Sequence, residues 1–219
     1  MTSSSIIIPD TFLYFAYGAN ILAYRMTMYD INAEFVSIAR IDNYRLDFIK
    51  YSKYWGGPVA TLVPTANAHS WGVIWRLKRD QRDSLDRMKE VEDKKYYIKN
   101  LNVLTPYMGY FRCRAYIQKV NPLPRGDNDV IPSERWPSFS YKHIMLLGAI
   151  INELPEYYIN HLRDLKHNDD EGCVRTDCLL IRYAREPICE CRVPGRIPRQ
   201  PLKLDVVTKR NMKVQTQSK

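Results

Sequence analysis

The sequence predicts an α/β fold of the α+β type, in which a small mixed β-sheet curls towards a barrel and helices flank it. Segments in which apolar and polar residues alternate, as in half-buried strands, are closely spaced through the first half of the chain. Two segments with helical periodicity follow, and the periodicity is lost after Tyr183. We therefore expect an N-terminal extension over residues 1–11, one domain over 12–183 and a C-terminal tail over 184–219.

The stretch "FLYFAYGAN" at residues 12–20 predicts the first strand and the turn after it. Phe12 to Tyr17 are apolar on both faces, which is typical of a strand buried inside a sheet. Gly18 tolerates positive φ and Asn20 is a favourable N-cap, so we expect a tight turn and a helix from Ile21. A strand, a turn and a helix N-terminus gather backbone N–H groups in a concavity that attracts anions. The residues alone also fit a simple strand-to-helix connection, and both interpretations stay open here.

Further strands are predicted by alternation along the chain. In "YRLDFIK", Tyr44, Leu46 and Phe48 share one face while Arg45 and Asp47 take the other, so this strand is expected to be half-buried. The other predicted strands are "FVSIARI", "VATLVP", "WGVIWRL" and "FRCRAYI".

Helices are predicted after this strand-rich half and once within it. A helix over residues 79–91 has an apolar stripe formed by Leu85, Met88 and Val91. "YKHIMLLGAIINEL" and "PEYYINHLRDLK" predict two more helices, the second with Pro155 in its first turn. We expect a pocket between the loop that follows the first strand and the end of the 79–91 helix.

Composition and cysteine usage indicate a globular protein of a reducing compartment. The hydrophobic fraction of 45% and the aromatic fraction of 12% exclude a disordered class for the first 190 residues. The N-terminus has no basic region typical of a secretory signal, and the longest apolar runs are too short to span a membrane. Five cysteines, an odd number, favour free thiols over a disulfide framework. We expect a soluble, cytoplasmic protein with no membrane span.

No metal site is predicted. Four cysteines cluster late in the chain, but their spacing matches no standard zinc pattern, and the four histidines show no ligand-like spacing. The cysteines concerned are Cys173, Cys178, Cys189 and Cys191.

Positive charge is concentrated in the C-terminal tail. Residues 192–219 contain eight basic residues and one aspartate, so they carry seven of the nine net positive charges. Several prolines accompany these charges, which predicts an extended and flexible segment. Such a tail is expected either to contact anionic surfaces, nucleic acid included, or simply to be solvated. It lacks the interleaved aromatics of a nucleic-acid-binding segment.

Four stretches, in order from about Phe12 to about Gly172, resemble the γ-glutamylcyclotransferase family. "YFAYGAN" resembles the strand–loop motif of the family, usually "FAYGSN", and "GGPVATLVP" with "WGVIWRL" resembles its central strand pair. "SLDRMKEV" aligns with the catalytic helix motif of the form "LDxxEGV". "PSFSYKHIMLLGA" and "LPEYYINHL" resemble the C-terminal helices of the family.

The resemblance implies an intramolecular aminolysis without a metal or an organic cofactor. The α-amino group of a γ-glutamyl dipeptide attacks its own γ-carbonyl, closing 5-oxoproline and releasing an amino acid, as part of glutathione-related metabolism. The protein must fold the substrate, hold its α-carboxylate and accept a proton. The turn at Gly18 is then expected to be an anion site for the glutamyl group. The substrate-binding residues implied are Tyr14, Phe15, Ala16, Tyr17, Gly18, Ala19, Asn20 and Tyr141. For Tyr141, a merely half-buried tyrosine at a helix start is the competing interpretation.

Two residues depart from the family pattern. Ala19 replaces the usual serine, which removes one hydroxyl and leaves the backbone N–H. Lys89 aligns with the catalytic glutamate, which is expected to be the general base. Glu90 is adjacent, and the family tyrosine seven residues after the base is matched by Tyr96 in one register and by Tyr97 in the other.

These departures leave the catalytic base and the function open between two hypotheses. Glu90 is either the catalytic base, which a one-residue slip of the helix would aim into the pocket, or a solvated charge. The chain is accordingly either an active enzyme of the lyase or acyltransferase type, or a non-catalytic relative that binds a γ-glutamyl ligand or a protein partner. A homodimer is compatible with both hypotheses.

Overall fold

The computed structural model describes residues 10–89, 95–120, 122, 125 and 130–170. Five strands close into a barrel in the order β1-β3-β2-β4-β5. Their bounds are β1 Thr11–Ala16, β2 Glu34–Ser52, β3 Gly57–Lys78, β4 Tyr96–Thr105 and β5 Gly109–Gln118. The paired strands run antiparallel except where β1 meets β5 in parallel, at Tyr14 and Arg114. The predicted mixed, barrel-like sheet is confirmed.

Strands β2 and β3 form one long hairpin in which four predicted strands merge into two. The register shifts between Asp42 and Tyr44, close to the point where the sequence suggests a break. Asn43 and Asn67 both have positive φ there, and the Asn67 N–H donates to the Asn43 Oδ1 at 3.3 Å. The strands bend at this irregularity without ending, which lets one hairpin curl around the barrel.

The sequence predicts that "YRLDFIK" is half-buried, with Arg45 and Asp47 facing solvent. This prediction is wrong, because both residues are buried. The Asp47 carboxylate accepts hydrogen bonds from Arg45 Nε at 3.1 Å, Arg125 Nε at 3.3 Å and Arg135 Nη1 at 3.1 Å. A buried carboxylate needs such partners to offset its lost hydration. Two of the arginines follow β5 in the chain, so this later segment covers the outer face of β2.

The turn after β1 differs in detail from the prediction. A 3₁₀ turn spans Ala19–Ile21 with Gly18 at its N-cap, and a short helix α1 follows at Tyr24–Thr27. Gly18 has φ of −115°, so the expected positive φ is wrong, and the expected N-cap role of Asn20 is wrong because Asn20 lies inside the turn.

Three longer helices match the remaining helical predictions. After a 3₁₀ turn at Arg79–Gln81, α2 spans Arg82–Met88 and buries Leu85. Val91, the last residue of the predicted apolar stripe, lies outside the described residues. Helices α3, Phe139–Ile151, and α4, Glu156–Asp164, lie where they were expected. Helix α3 packs so closely on the turn after β1 that a Cβ at Gly148 would lie 2.8 Å from the Leu22 nitrogen.

In the described part of the chain, no helix is both long and apolar enough to cross a membrane. The predicted basic tail and the four clustered cysteines lie outside the described residues. The fifth cysteine, Cys113 in β5, is a buried free thiol, and burial raises its pKa to about 12.

Candidate active site

A cavity of about 480 Å³ opens between the turn after β1 and the end of α2, the two walls that the sequence predicted. The start of β4, the segment between β2 and β3, and α3 complete it. Its described lining is Tyr14, Tyr17, Gly18, Ala19, Asn20, Arg25, Tyr29, Lys50, Tyr51, Ser52, Lys53, Tyr54, Trp55, Val59, Ala60, Met88, Lys89, Lys95, Tyr96, Tyr116 and Tyr141.

Most of the residues that the resemblance assigned to substrate binding line this cavity. Phe15 and Ala16 do not: both are fully buried in the barrel wall and are absent from the described lining. Consecutive strand residues point to opposite faces, so a continuous motif along β1 cannot place every side chain in one pocket.

Tyr141 and Gly18 contact each other at the centre of the cavity wall. The Tyr141 Oη accepts a hydrogen bond from the Ala60 N–H at 3.1 Å, and the backbone of Ala19 is a second partner of this hydroxyl. A Cβ at Gly18 would lie 2.8 Å from the Tyr141 Oη and 3.1 Å from the Ala60 Cβ. Glycine is therefore required here by close approach. Burial raises the pKa of Tyr141, so the phenol stays protonated and can donate its hydrogen to a ligand.

Asn20 holds the turn against the barrel. Its Nδ2 donates to the Tyr14 Oη at 3.1 Å, and the Trp75 Nε1 donates to its backbone oxygen at 3.0 Å. Asn20 is buried, and burial raises the pKa of Tyr14. These contacts tie the turn to both β1 and β3, so the wall around Gly18 is fixed before any ligand enters.

A second set of contacts fixes helix α2. The Arg114 Nη2 lies 2.6 Å from both oxygens of Asp86, and the Tyr116 hydroxyl also donates to this carboxylate. The Tyr17 hydroxyl in turn donates to the Tyr116 backbone oxygen. Asp86 belongs to the "SLD" part of the catalytic helix motif. In this chain it positions the end of α2, and with it Lys89, beside the turn.

Lys89 occupies the position that the family motif gives to the general base. It immediately follows α2, its N–H donates to the Leu85 oxygen at 3.0 Å, and it lines the cavity. Burial, and secondarily the charge of Arg25, lowers its pKa to about 7. The side chain therefore carries an amine that is largely uncharged above neutral pH. Glu90, the base suggested by the sequence, lies outside the described residues.

The described lining of the cavity is rich in basic side chains. It contains no carboxylate and five basic side chains, namely Arg25, Lys50, Lys53, Lys89 and Lys95. Arg25 was missed by sequence reasoning, because one arginine in a short helix carries no signal until its neighbours are known. No cluster of potential metal-binding side chains occurs among residues 10–89, 95–120 and 130–170.

Comparisons with known proteins find relatives of one family. A model of the AIG2-like family matches residues 69–162. The γ-glutamylcyclotransferase of Mus musculus is 32% identical over 74% of this chain and 83% of its own length. That of Homo sapiens is 32% identical over 75% of this chain and 84% of its own length. A solved structure named gamma-glutamyl cyclotransferase is 31% identical, covers 77% of this chain and 95% of its own, and superposes with a TM-score of 0.67.

The curated relatives match about three quarters of this chain, and the solved structure has the same overall fold over 77% of it. Identity of 32% extending over 75% of the chain, together with the shared barrel, shows that this chain belongs to the γ-glutamylcyclotransferase family.

Proposed function

We propose that this protein cyclises γ-glutamyl dipeptides to 5-oxoproline and releases the second amino acid. The α-amino nitrogen attacks the γ-carbonyl carbon, the new C–N bond closes the ring, and the amide C–N bond breaks. The proton lost by the attacking amine ends on the departing nitrogen. The observation that carries the proposal is one cavity that joins the Gly18 turn, Tyr141 and the end of α2. No cofactor is required, because the nucleophile belongs to the substrate.

The glutamyl group is proposed to lie against Tyr14 and the turn from Tyr17 to Asn20. Its α-carboxylate would face the backbone of the turn, and its γ-carbonyl oxygen would accept a hydrogen bond from Tyr141. This arrangement is supported by the cavity lining and by the pKa of Tyr141, which burial raises. The protein accelerates such a reaction mainly by holding the dipeptide folded, with its α-amino nitrogen close to its γ-carbonyl carbon.

Glu90 remains the proposed general base, as the carboxylate next to Lys89 in the sequence. The tyrosine that lines the cavity is Tyr96, seven residues after Lys89, whereas Tyr97, seven residues after Glu90, is exposed. Lys89 is the competing proton acceptor. It lines the cavity, and its pKa of about 7 lies in the range in which a lysine can act as a base near neutral pH. Loss of the true base should reduce turnover by about 10²–10⁴-fold.

A second candidate function is binding without turnover. It is favoured by the replacement of the expected glutamate by Lys89 and by a described lining that contains no carboxylate. Such a relative would bind a γ-glutamyl ligand or a protein partner without converting it.

Release of 5-oxoproline from γ-glutamyl-alanine by four proteins separates these possibilities. The proteins are the wild type, Glu90→Gln, Lys89→Met and Lys89→Glu, with Arg87→Met as an exposed control on α2. A loss of about 10²-fold or more in Glu90→Gln alone identifies Glu90 as the base, and the same loss in Lys89→Met alone identifies Lys89. A wild type at background with activity gained in Lys89→Glu establishes the non-catalytic function and overturns the proposed one.

The proposal includes a cytoplasmic location and a role in glutathione-related amino acid turnover. The odd number of cysteines and the buried free thiol of Cys113 support a reducing compartment.

A further inference from the structure

Arg25 is a buried cation with incomplete hydrogen bonding. Its side chain lines the cavity and the residue is only 6% exposed. The Nη2 donates to the Tyr29 hydroxyl at 3.2 Å, whereas the buried Nε and Nη1 have no partner among the described residues. Buried guanidinium groups are normally paired, because the desolvation of an unpaired charge is costly. The donors of Arg25 are therefore available to a ligand in the cavity.

Aromatic rings hold this guanidinium through contacts with their faces, which leave the Nε and Nη1 donors unused. The Arg25 Cζ lies 4.8 Å from the ring centroid of Tyr29, 5.3 Å from that of Tyr54 and 5.2 Å from that of Trp55. Cation–π contacts of this kind fix the position of an arginine and leave its edges free to donate. The site is thus built in advance of a ligand.

Arg25 and the Gly18 turn line the same cavity and are linked through Trp55, whose ring centroid lies 5.2 Å from the Arg25 Cζ. The Trp55 and Tyr141 ring centroids are 4.8 Å apart, and the Tyr141 hydroxyl is the atom that a Cβ at Gly18 would strike. A ligand in this cavity with its glutamyl end at Gly18 would therefore have its other end within reach of Arg25. Arg25 and Lys89 both line this cavity, and the charge of Arg25 contributes secondarily to the lowered pKa of Lys89.

We propose that Arg25 binds the carboxylate of the second amino acid of the dipeptide, and so selects γ-glutamyl amino acids over γ-glutamyl amines. This inference rests on the proposed function, since it takes the Gly18 turn as the site of the glutamyl end. A guanidinium pairs with a carboxylate in two parallel hydrogen bonds, which gives both affinity and orientation. Anchoring the departing amino acid at Arg25 fixes the other end of the dipeptide while the Gly18 turn holds the glutamyl half in its folded shape.

A matched pair of ligands tests the inference directly. γ-Glutamyl-ethylamide is γ-glutamyl-alanine without the second carboxylate, so the two differ only in the group assigned to Arg25. Each would be measured with the wild type, Arg25→Met, Arg25→Lys and the exposed control Arg87→Met. The readout is kcat/KM where the ligand is converted and the calorimetric Kd where it is not. Thermal melting checks that each variant folds.

The wild type should prefer γ-glutamyl-alanine by about 10- to 100-fold, the worth of a charged hydrogen-bonded pair. Arg25→Met should remove this preference and change the value for the ethylamide by less than about twofold. Arg25→Lys should restore part of the preference, and Arg87→Met should keep all of it. If Arg25→Met fails to fold, the wild-type preference and its reduction in Arg25→Lys carry the test.

Two results overturn the role of Arg25 while the proposed function stands. One is a wild type that handles both ligands equally well. The other is an Arg25→Met variant that loses both ligands to the same extent, because Arg25 would then serve the glutamyl end or the fold. A wild type that neither binds nor converts either ligand overturns the proposed function, and the inference with it.

Discussion

Removal of the Lys89 amine should change how stability depends on pH. The pKa of Lys89 is lowered from its ordinary value of 10.5 to about 7 in the folded protein. Between these two values the unfolded chain binds more protons than the native one, so the free energy of unfolding rises with pH across this window. Below about pH 7 the amine is protonated in both states, and the full cost of charging it is present. Lys89→Met removes the cost, so the variant should gain stability over the wild type at low pH.

The size of this effect follows from the shift. One pKa unit corresponds to about 1.4 kcal/mol, so the fall from 10.5 to about 7 sets an upper bound of roughly 5 kcal/mol. Lys89 is partly exposed to the cavity, and solvent screening reduces the expected value to about 2–3 kcal/mol. Urea denaturation of the wild type and Lys89→Met at intervals from pH 6 to pH 10 measures it.

The difference in stability between the two proteins should be largest near pH 6 and decline as the pH rises from 7 to 10. Arg87→Met removes a nearby exposed side chain outside the cavity, so its difference from the wild type should stay constant across this range. A Lys89→Met difference that is equally constant would mean that Lys89 is ordinarily solvated, and the account of the cavity as a desolvated cationic site would be refuted.

Other predictions concern the turn, the buried aspartate and the tail. Gly18→Val should displace Tyr141, whose hydroxyl a Cβ would approach to 2.8 Å, and weaken binding of γ-glutamyl-alanine at least about 10-fold by calorimetry; unchanged affinity would disprove the role of the turn. Asp47→Asn leaves three arginines without their carboxylate and should lower the free energy of unfolding by about 3–5 kcal/mol in urea. A loss below about 1 kcal/mol would show that the cluster is solvated. Deletion of residues 192–219 should leave the melting temperature and turnover nearly unchanged and weaken retention on heparin at low salt, because that segment carries most of the net charge. Unfolding of the truncated chain would show that the tail packs on the domain.

The barrel was predictable because alternation identifies most of its strands, but strand β4 was not. Residues 97–100 of β4 are exposed on both faces, so their side chains show no alternation. The buried side chains of Leu101 and Val103 appear only in the second half. Alternation reports burial on one face, and a strand segment without a buried face gives no such signal.

Burial of Asp47 could not be predicted from its own strand. The partners that make it favourable, Arg125 and Arg135, come from a segment far away in the chain, and nothing in "YRLDFIK" indicates that this segment returns to cover it. The role of Arg25 could not be predicted for the same reason, because its guanidinium packs on Tyr54 and Trp55, which lie between β2 and β3. The local sequence shows that Asp47 and Arg25 are charged, but it does not show that they are buried, because their burial depends on segments that are distant in the chain.

The residues around Gly18 were predicted for a reason that the structure revises. The sequence suggested a glycine chosen for positive φ, whereas φ is −115° and the constraint is contact with Tyr141. A close approach between distant segments leaves the same glycine in the sequence as a strained turn does. The family resemblance supplied Tyr141 as a pocket residue, which periodicity alone did not distinguish from a half-buried tyrosine.

Identification of the products formed from γ-glutamyl-alanine tests the central claim most directly. Carbon-13 NMR of dipeptide labelled in the glutamyl group follows the label without coupling enzymes. Intramolecular attack predicts that the label appears as 5-oxoproline, in equal amount to the released alanine. Gly18→Val, in which binding is expected to be at least about 10-fold weaker, should reduce this signal. Labelled free glutamate would mean that water is the nucleophile, and unchanged dipeptide would mean that the cavity binds without turnover; either result would contradict the proposed cyclisation.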